Sequence, residues 1–262
     1  MTISAIVPCF NEEKSVKNVI DTLLASPEIK EVIAINDGSI DHSLAILHSF
    51  GQKIKLINFK KNHGKSTAVV AGIKKAKGTL VLLMDADLAG LKPAHITKMV
   101  ELLKKKNTRV VLGNLDAHGN VYRLFDKITR KLIKYDFLTG ERIYFRDDLL
   151  PLLPKMKNLG YGLEVFLNHE FKDKKTVIAK LSGAFQPPKE KKTGLSYQTF
   201  RLYFKEALEI SKELARQEGI KGKEALAFRN RFIREFLGKY ARYGKKWQKI
   251  LKKYLDEVLK VN

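Results

Sequence analysis

A single cysteine, Cys9, stands in 262 residues, which excludes a disulfide within the chain, and a reducing compartment is the expectation for such a sequence. No run approaches the ~18 uninterrupted apolar residues of a membrane-spanning helix. The first residues lack the basic flank and apolar core of a secretory signal, because a short apolar strand runs straight into Pro8. There is no internal repeat and no low-complexity tract. Acidic residues are scarce beside basic ones, 28 Asp and Glu against 50 Lys and Arg, for a formal net charge of +22. A glycine-rich phosphate loop is missing as well. Gly64-Lys65-Ser66 ends like one, but Phe59 occupies the position where that motif needs its first glycine. The expectation is a cytoplasmic chain, free or resting on the cytosolic face of a membrane, and not a P-loop nucleotidase.

What is present is an apolar fraction of 44%, near the globular average, arranged in a regular alternation. Residues 3–7, 31–35, 53–59, 79–84 and 109–112 read as short buried strands. Between them, residues 12–25, 66–76 and a segment opening at Pro93 carry apolar residues at helical spacing, and Asp41 is placed to cap a further helix. Strands alternating with helices predict a mainly parallel sheet covered on both faces. In such sheets ligands bind beyond the carboxyl ends of the strands. Polar clusters stand at three of those ends: residues 8–13, 36–41 and 85–87. After residue 115 the alternation fades; residues 121–138 and 161–171 read as helices and 176–181 as a late strand. Pro187-Pro188 marks a boundary, followed by helices over 197–217 and from 224 to about 261.

Asp85 and Asp87, two carboxylates spaced by one residue at a strand end, suit a hard divalent cation and a ribose hydroxyl. Such an ion would bridge a diphosphate and neutralise charge on a departing nucleotide. The bland alternative is a pair of solvated loop aspartates. In Asn36-Asp37-Gly38-Ser39 a carboxylate can accept an N–H from a base, or the segment is only a helix-capping turn. A helix opening at Ser66 can face an anion.

The order of these segments resembles the family 2 glycosyltransferases. The segments are IVPCFNEE (6–13), INDGSID (35–41), NHGKSTAVVAGIKKAKG (62–78) and LLMDADL (82–88). TGERIYFRDDL (139–149) and GYGLEVFLNHEF (160–171) are similar to pieces of the polyprenyl-phosphate sugar synthases within that family. The resemblance covers residues 3 to about 181. It implies a GT-A fold over residues 1–186, with a donor half to about 115 and an acceptor half beyond it, followed by a basic helical extension, 187–262. It implies a metal-dependent, inverting transfer from a UDP- or GDP-sugar to a polyprenyl phosphate or another anionic acceptor. Pro8, Phe10, Glu12, Asp37 and Lys65 would bind the nucleotide, with Asp85 on the ribose or diphosphate. Asp87, with Asp85, would hold Mg2+ or Mn2+, and His169 is a candidate third ligand. Arg142 and Arg146 would grip an acceptor phosphate, for which the planar guanidinium fork is suited. For a hydroxyl acceptor, Glu164 is the first candidate base, with Asp147 and Asp148 behind it. The sequence departs from the family pattern at Asn36 and at Ala89-Gly90.

From Pro187 onward there are 20 Lys and Arg against 9 Asp and Glu, a difference of +11, half the charge of the chain. Aromatic residues at four-residue spacing (Phe228, Phe232, Phe236, Tyr240) lie among arginines and lysines. This pattern fits either a basic amphipathic helix on an anionic membrane or a helix packed on the catalytic unit with a solvated basic face. A soluble transferase with a hydroxyl acceptor and a non-enzymatic polyanion-binding protein stand as alternatives. No nucleic-acid motif supports nucleic acid as the polyanion.

Overall fold

The computed structural model describes residues 1–105, 107–116, 138–187 and 197–238. Its first half is built from β1 (Ile3–Cys9), α1 (Val16–Leu24), β2 (Ile29–Asp37), α2 (Ser43–Ser49), β3 (Lys55–Phe59), α3 (Lys65–Lys75), β4 (Leu80–Leu83), α4 (Pro93–Leu103) and β5 (Val110–Leu115). There follow β6 (Arg142–Phe145), the short helices α5 (Arg146–Leu149) and α6 (Leu153–Met156), then α7 (Leu163–Glu170) and β7 (Thr176–Leu181). α8 (Tyr197–Gln217) and α9 (Gly222–Gly238) complete the described chain.

The strands form one sheet in the order β3-β2-β1-β4-β6-β5-β7. All pairings are parallel except those of β6, which runs against both β4 and β5. Alternate side chains on each strand enter opposite cores, as the two-residue strand period requires. Ala5, Val7, Ala34, Leu80 and Leu82 pack under α1, α2 and α4. Ile6, Ile33, Ile35, Val81 and Leu83 pack under α3, α6 and α7. Central strands buried on both faces explain why these segments read as continuous apolar runs.

The strands expected from sequence are present within a few residues of their expected limits, and so are the helices at 66–76, 93 onward and 197–217. β6 is the element that periodicity did not reveal. Four residues, Arg-Ile-Tyr-Phe, are too few to display alternation, and their pairing partners are distant in sequence. The helix expected over 121–138 lies outside the described residues. α8 buries Phe204, Ala207, Ile210 and Leu214, and its Glu209 accepts the backbone N–H of Tyr161 at 2.9 Å. The first helix of the basic extension is therefore docked on the turn that opens α7.

Candidate active site

Since every strand but β6 points the same way, the loops after β1, β2, β4 and β7 gather along one edge, together with the segment that enters β6. The first two loops are laced together by side chains. Asn11 N–H donates to Ser39 Oγ (3.0 Å) and Ile40 N–H to Asn11 Oδ1 (2.9 Å). Glu12 N–H donates to Ser43 Oγ (2.7 Å) and Glu13 N–H to Asp41 Oδ2 (3.1 Å). The other oxygen of Asp41 takes the N–H of Ser43 at 2.9 Å in a turn of the kind aspartate side chains make two residues on; the residue at the cap of α2 is His42, so Asp41 stands one position before it.

Asp37 is 3% exposed. Its two oxygens accept the backbone N–H groups of His63 (2.7 Å) and Gly64 (2.9 Å). Burial pushes its carboxyl up from the ordinary range, and these two donors pull the other way. The residue expected to hold a base thus also clamps the loop that opens α3. Gly38, at φ 73°, lets that loop approach: a Cβ there would lie 2.4 Å from the Lys61 carbonyl carbon. Beside them, Phe10 is 39% exposed at the mouth of the edge, and Pro8 lines the crevice below it.

Lys65, the first residue of α3, reaches across to two carboxylates, Asp85 Oδ1 and Glu164 Oε1, each at 2.7 Å. Burial opposes its charge, but Asp85 and Glu164 outweigh burial and hold the ammonium well above its usual range. Asp85 is pushed up by burial first, then by the charges of Asp87 and Glu164, while Lys65 opposes the shift. Glu164 comes from the first turn of α7. Behind this bridge is a crevice of about 10 Å³, roughly the room of one water molecule, bordered by Gly140, Arg142 and Leu167. Glu141 is a site residue that sequence reading missed. It is 1% exposed, its Oε1 is buried without a hydrogen bond, and its carboxyl is pushed up to about 8 by burial and then by Asp85. Its neighbour Gly140 packs so closely on Asp85 that a Cβ would lie 2.2 Å from Oδ2. No spacing rule points to Glu141; only the pairing of β4 with β6 brings it to Asp85.

Four of the expected residues sit differently from the contacts expected of them. Arg142 is 1% exposed; its guanidinium donates to the carbonyl of Thr139, to Tyr144 Oη (3.1 Å) and to Asn168 Oδ1 (2.7 Å). It is a buried wall of the crevice and not a fork open to an acceptor. Arg146 is at the other end of the sheet. β6 runs antiparallel to β4, so Arg142 pairs with Leu83 near the site while Phe145 pairs with Leu80, and Arg146 N–H bonds to Thr79 beyond. Four residues of strand separate the two arginines by roughly 13 Å. Asp148 is at that far end too, ion-paired with Arg109 at 2.6 Å. His169 is the fourth. Five positions after Glu164 it points roughly 140° away around α7, and no three His, Cys, Asp or Glu side chains among the described residues converge as a metal cage.

The donor set still fits a divalent cation. Carboxylate oxygens suit Mg2+ or Mn2+, and this cluster already holds one cation, the ammonium of Lys65. Magnesium sites commonly take only one or two protein carboxylates and complete the shell with water and substrate phosphate. Asp85 and Asp87 supply that number.

Comparison with known proteins shows the family and the fold. The profile of the family described as "Glycosyl transferase family 2" matches residues 4–149. The dodecaprenyl-phosphate galacturonate synthase of Rhizobium johnstonii is 31% identical over 121 residues, 43% of this chain and 36% of that protein. A dolichyl-phosphate beta-glucosyltransferase of Trichomonas vaginalis is 37% identical over 112 residues, 38% of this chain and 32% of that one. The matched region thus spans about a third of these relatives. Among solved structures, the glucosyl-3-phosphoglycerate synthase of Mycobacterium tuberculosis, in complex with Mn2+, UDP and glucosyl-3-phosphoglycerate, superposes with a TM-score of 0.67. At 20% identity, over 84% of this chain and 81% of that one, the likeness is one of fold.

Proposed function

This chain belongs to glycosyl transferase family 2, and from that premise we propose that it moves a sugar from a nucleotide-diphosphate sugar to an acceptor. The observation that carries the reading is the convergence at one sheet edge of Asp85, Asp87, Lys65 and Glu164 beside the laced loops of β1 and β2. Phe10, Pro8, Glu12 and Asp37 form the nucleotide side. A Mg2+ or Mn2+ ion on Asp85 and Asp87 would supply charge neutralisation at the departing diphosphate. Lys65, a cation fixed at the start of α3, supports the same anion from the protein side, and the helix N-terminus adds its dipole. Residues 1–186 are the GT-A transferase unit in this reading, with the donor half in residues 1–115.

The acceptor we favour is a polyprenyl phosphate, supported by the names of the relatives. A phosphate nucleophile is ionised at neutral pH and needs no base, so catalysis reduces to positioning and electrostatics in a single inverting displacement. A hydroxyl acceptor is the second reading, favoured by Glu164, a carboxylate 7% exposed at the site that could take the hydroxyl proton. Arg142, buried in the wall of the crevice, and Arg146, beyond the far end of β6, lend the phosphate reading less support than the sequence suggested.

Thermal-shift measurements with UDP-, GDP- and CDP-sugars, with and without Mn2+, test the donor assignment. A metal-dependent rise with one nucleotide is expected; ligand at 100 times its dissociation constant adds about 2.7 kcal/mol. No rise with any of them overturns it. Asp87→Ala should abolish metal-dependent turnover with the fold intact, and normal turnover would remove Asp87 from the metal site. Transfer to undecaprenyl phosphate that survives Glu164→Gln supports the phosphate acceptor. Loss of transfer in that variant favours a proton-accepting role.

A further inference from the structure

We infer that Gln186, to which no motif points, is the positioning residue of Asp87. The inference rests on the proposed cation site and assigns a neutral side chain to it. Its amide nitrogen is 2.7 Å from Asp87 Oδ1, a contact across 99 residues of sequence.

The backbone holds Gln186 in place. Past β7 the chain turns at Gly183, whose N–H donates to Asp116 Oδ2 (2.7 Å), and Asp116 N–H returns a bond to the carbonyl of Ala184 (2.8 Å). Phe185 and Ala89 then exchange both of their N–H···O bonds, each at 2.9 Å. This isolated antiparallel bridge lies two residues beyond Asp87 on one side and one residue before Gln186 on the other. Gly90 lies against Gly183 so closely that a Cβ would be 2.0 Å from the Gly183 oxygen, so the two segments cannot slip or separate without loss of that fit. Gln186 is therefore delivered to Asp87 by fixed backbone.

The chemistry of the contact differs from that at Asp85. There the oxygen is held by an ammonium, which lends positive charge to the carboxylate it orients. An amide donor turns a carboxylate without adding charge of either sign, and directs the lone pairs it does not use. Partners of this kind, one shell behind a metal-binding carboxylate, typically change metal affinity by about 10- to 100-fold when removed.

The test is Mn2+ binding to the full-length protein in the presence of UDP, followed by the electron-paramagnetic-resonance signal of free Mn2+. Gln186→Ala and Gln186→Met are compared with wild type and with Asp87→Ala. Methionine keeps the bulk and removes the amide, so a role in packing alone would be restored by it. Both Gln186 variants are expected to weaken Mn2+ binding about tenfold, with kcat recovering at saturating Mn2+ and the metal-free melting temperature held. Gln186→Met within twofold of wild type overturns the inference. If Asp87→Ala loses Mn2+ in the same experiment, the cation reading stands and only the role of Gln186 falls. Equal binding by wild type and Asp87→Ala overturns the cation reading, and the role of Gln186 with it.

Discussion

Glu141 shows how much of the site depends on single buried groups. Its carboxyl sits at about 8, above the ordinary 4.5, because burial and the Asp85 charge both penalise ionisation. The folded protein therefore keeps a proton that the unfolded chain gives up between these values, and stability falls as pH rises through that window. Below the ordinary value both states are protonated and the difference vanishes. Glu141→Gln removes the ionisation and keeps an oxygen for Thr139 Oγ1, which donates to Oε2 in the wild type. The variant should gain melting temperature over wild type progressively from about pH 5 to about pH 8; a gain independent of pH would show that Glu141 does not titrate there. Lys65 is the counterpart on α3. The family resemblance placed it on the nucleotide, but its contacts with Asp85 and Glu164 follow from α3 meeting the turn that opens α7, where Gly160 N–H donates to Ser66 Oγ (2.9 Å), and no local pattern encodes that meeting.

At the scale of the element, β6 decides the most. One antiparallel strand inserted between β4 and β5 reverses the order in which its residues run from one sheet edge to the other. It brings Thr139, Glu141 and Arg142 to the site and carries Arg146, Asp147 and Asp148 away from it. Arg146→Gln should accordingly leave the KM for the sugar nucleotide and for the acceptor within about twofold. Arg142→Gln should lower stability, because it removes buried hydrogen bonds worth about 1.5–3 kcal/mol each for a charged donor. Melting curves and steady-state kinetics on the two variants separate these roles, and a large rise in acceptor KM for Arg146→Gln would restore it to the site. The segment after β7 has a similar effect: its bridge to Ala89 brings Gln186 to Asp87.

For the whole molecule, the charge of +22 and the docking of α8 pull the basic extension into two parts. α8 belongs to the folded unit, since Phe204, Ile210 and Leu214 are buried and Glu209 caps the turn before α7. α9 continues it with Arg229 and Arg231 on a helix. None of the described helices is long and apolar enough to cross a membrane, and contact with an anionic lipid surface would rest on basic charge, worth about 1 kcal/mol per Lys or Arg near such a surface. Truncation after residue 223 should keep cooperative unfolding but weaken sedimentation with anionic vesicles, whereas truncation after residue 196 should lower the melting temperature by several degrees. Equal vesicle binding by the shorter and full chains would assign the extension to packing alone.

The sequence by itself determined the alternating order of strands and helices, the sheet edge that carries the site, and the family, through Pro8–Glu13, Asn36–Asp41 and Asp85–Asp87. Those features are local: apolar runs with strand or helix period, and polar residues immediately after them, leave a mark within a dozen positions. The tertiary structure alone decided which distant side chains share a carboxylate. Lys65 with Asp85 and Glu164, Glu141 beside Asp85, and Gln186 on Asp87 join segments separated by tens of residues. The extended backbone of β6 separated Arg142 from Arg146, and its direction set Arg142 at the site edge and Arg146 at the opposite one. Pairing register and strand direction are properties of the assembled sheet, set by burial on both of its faces, and a single segment carries no record of them.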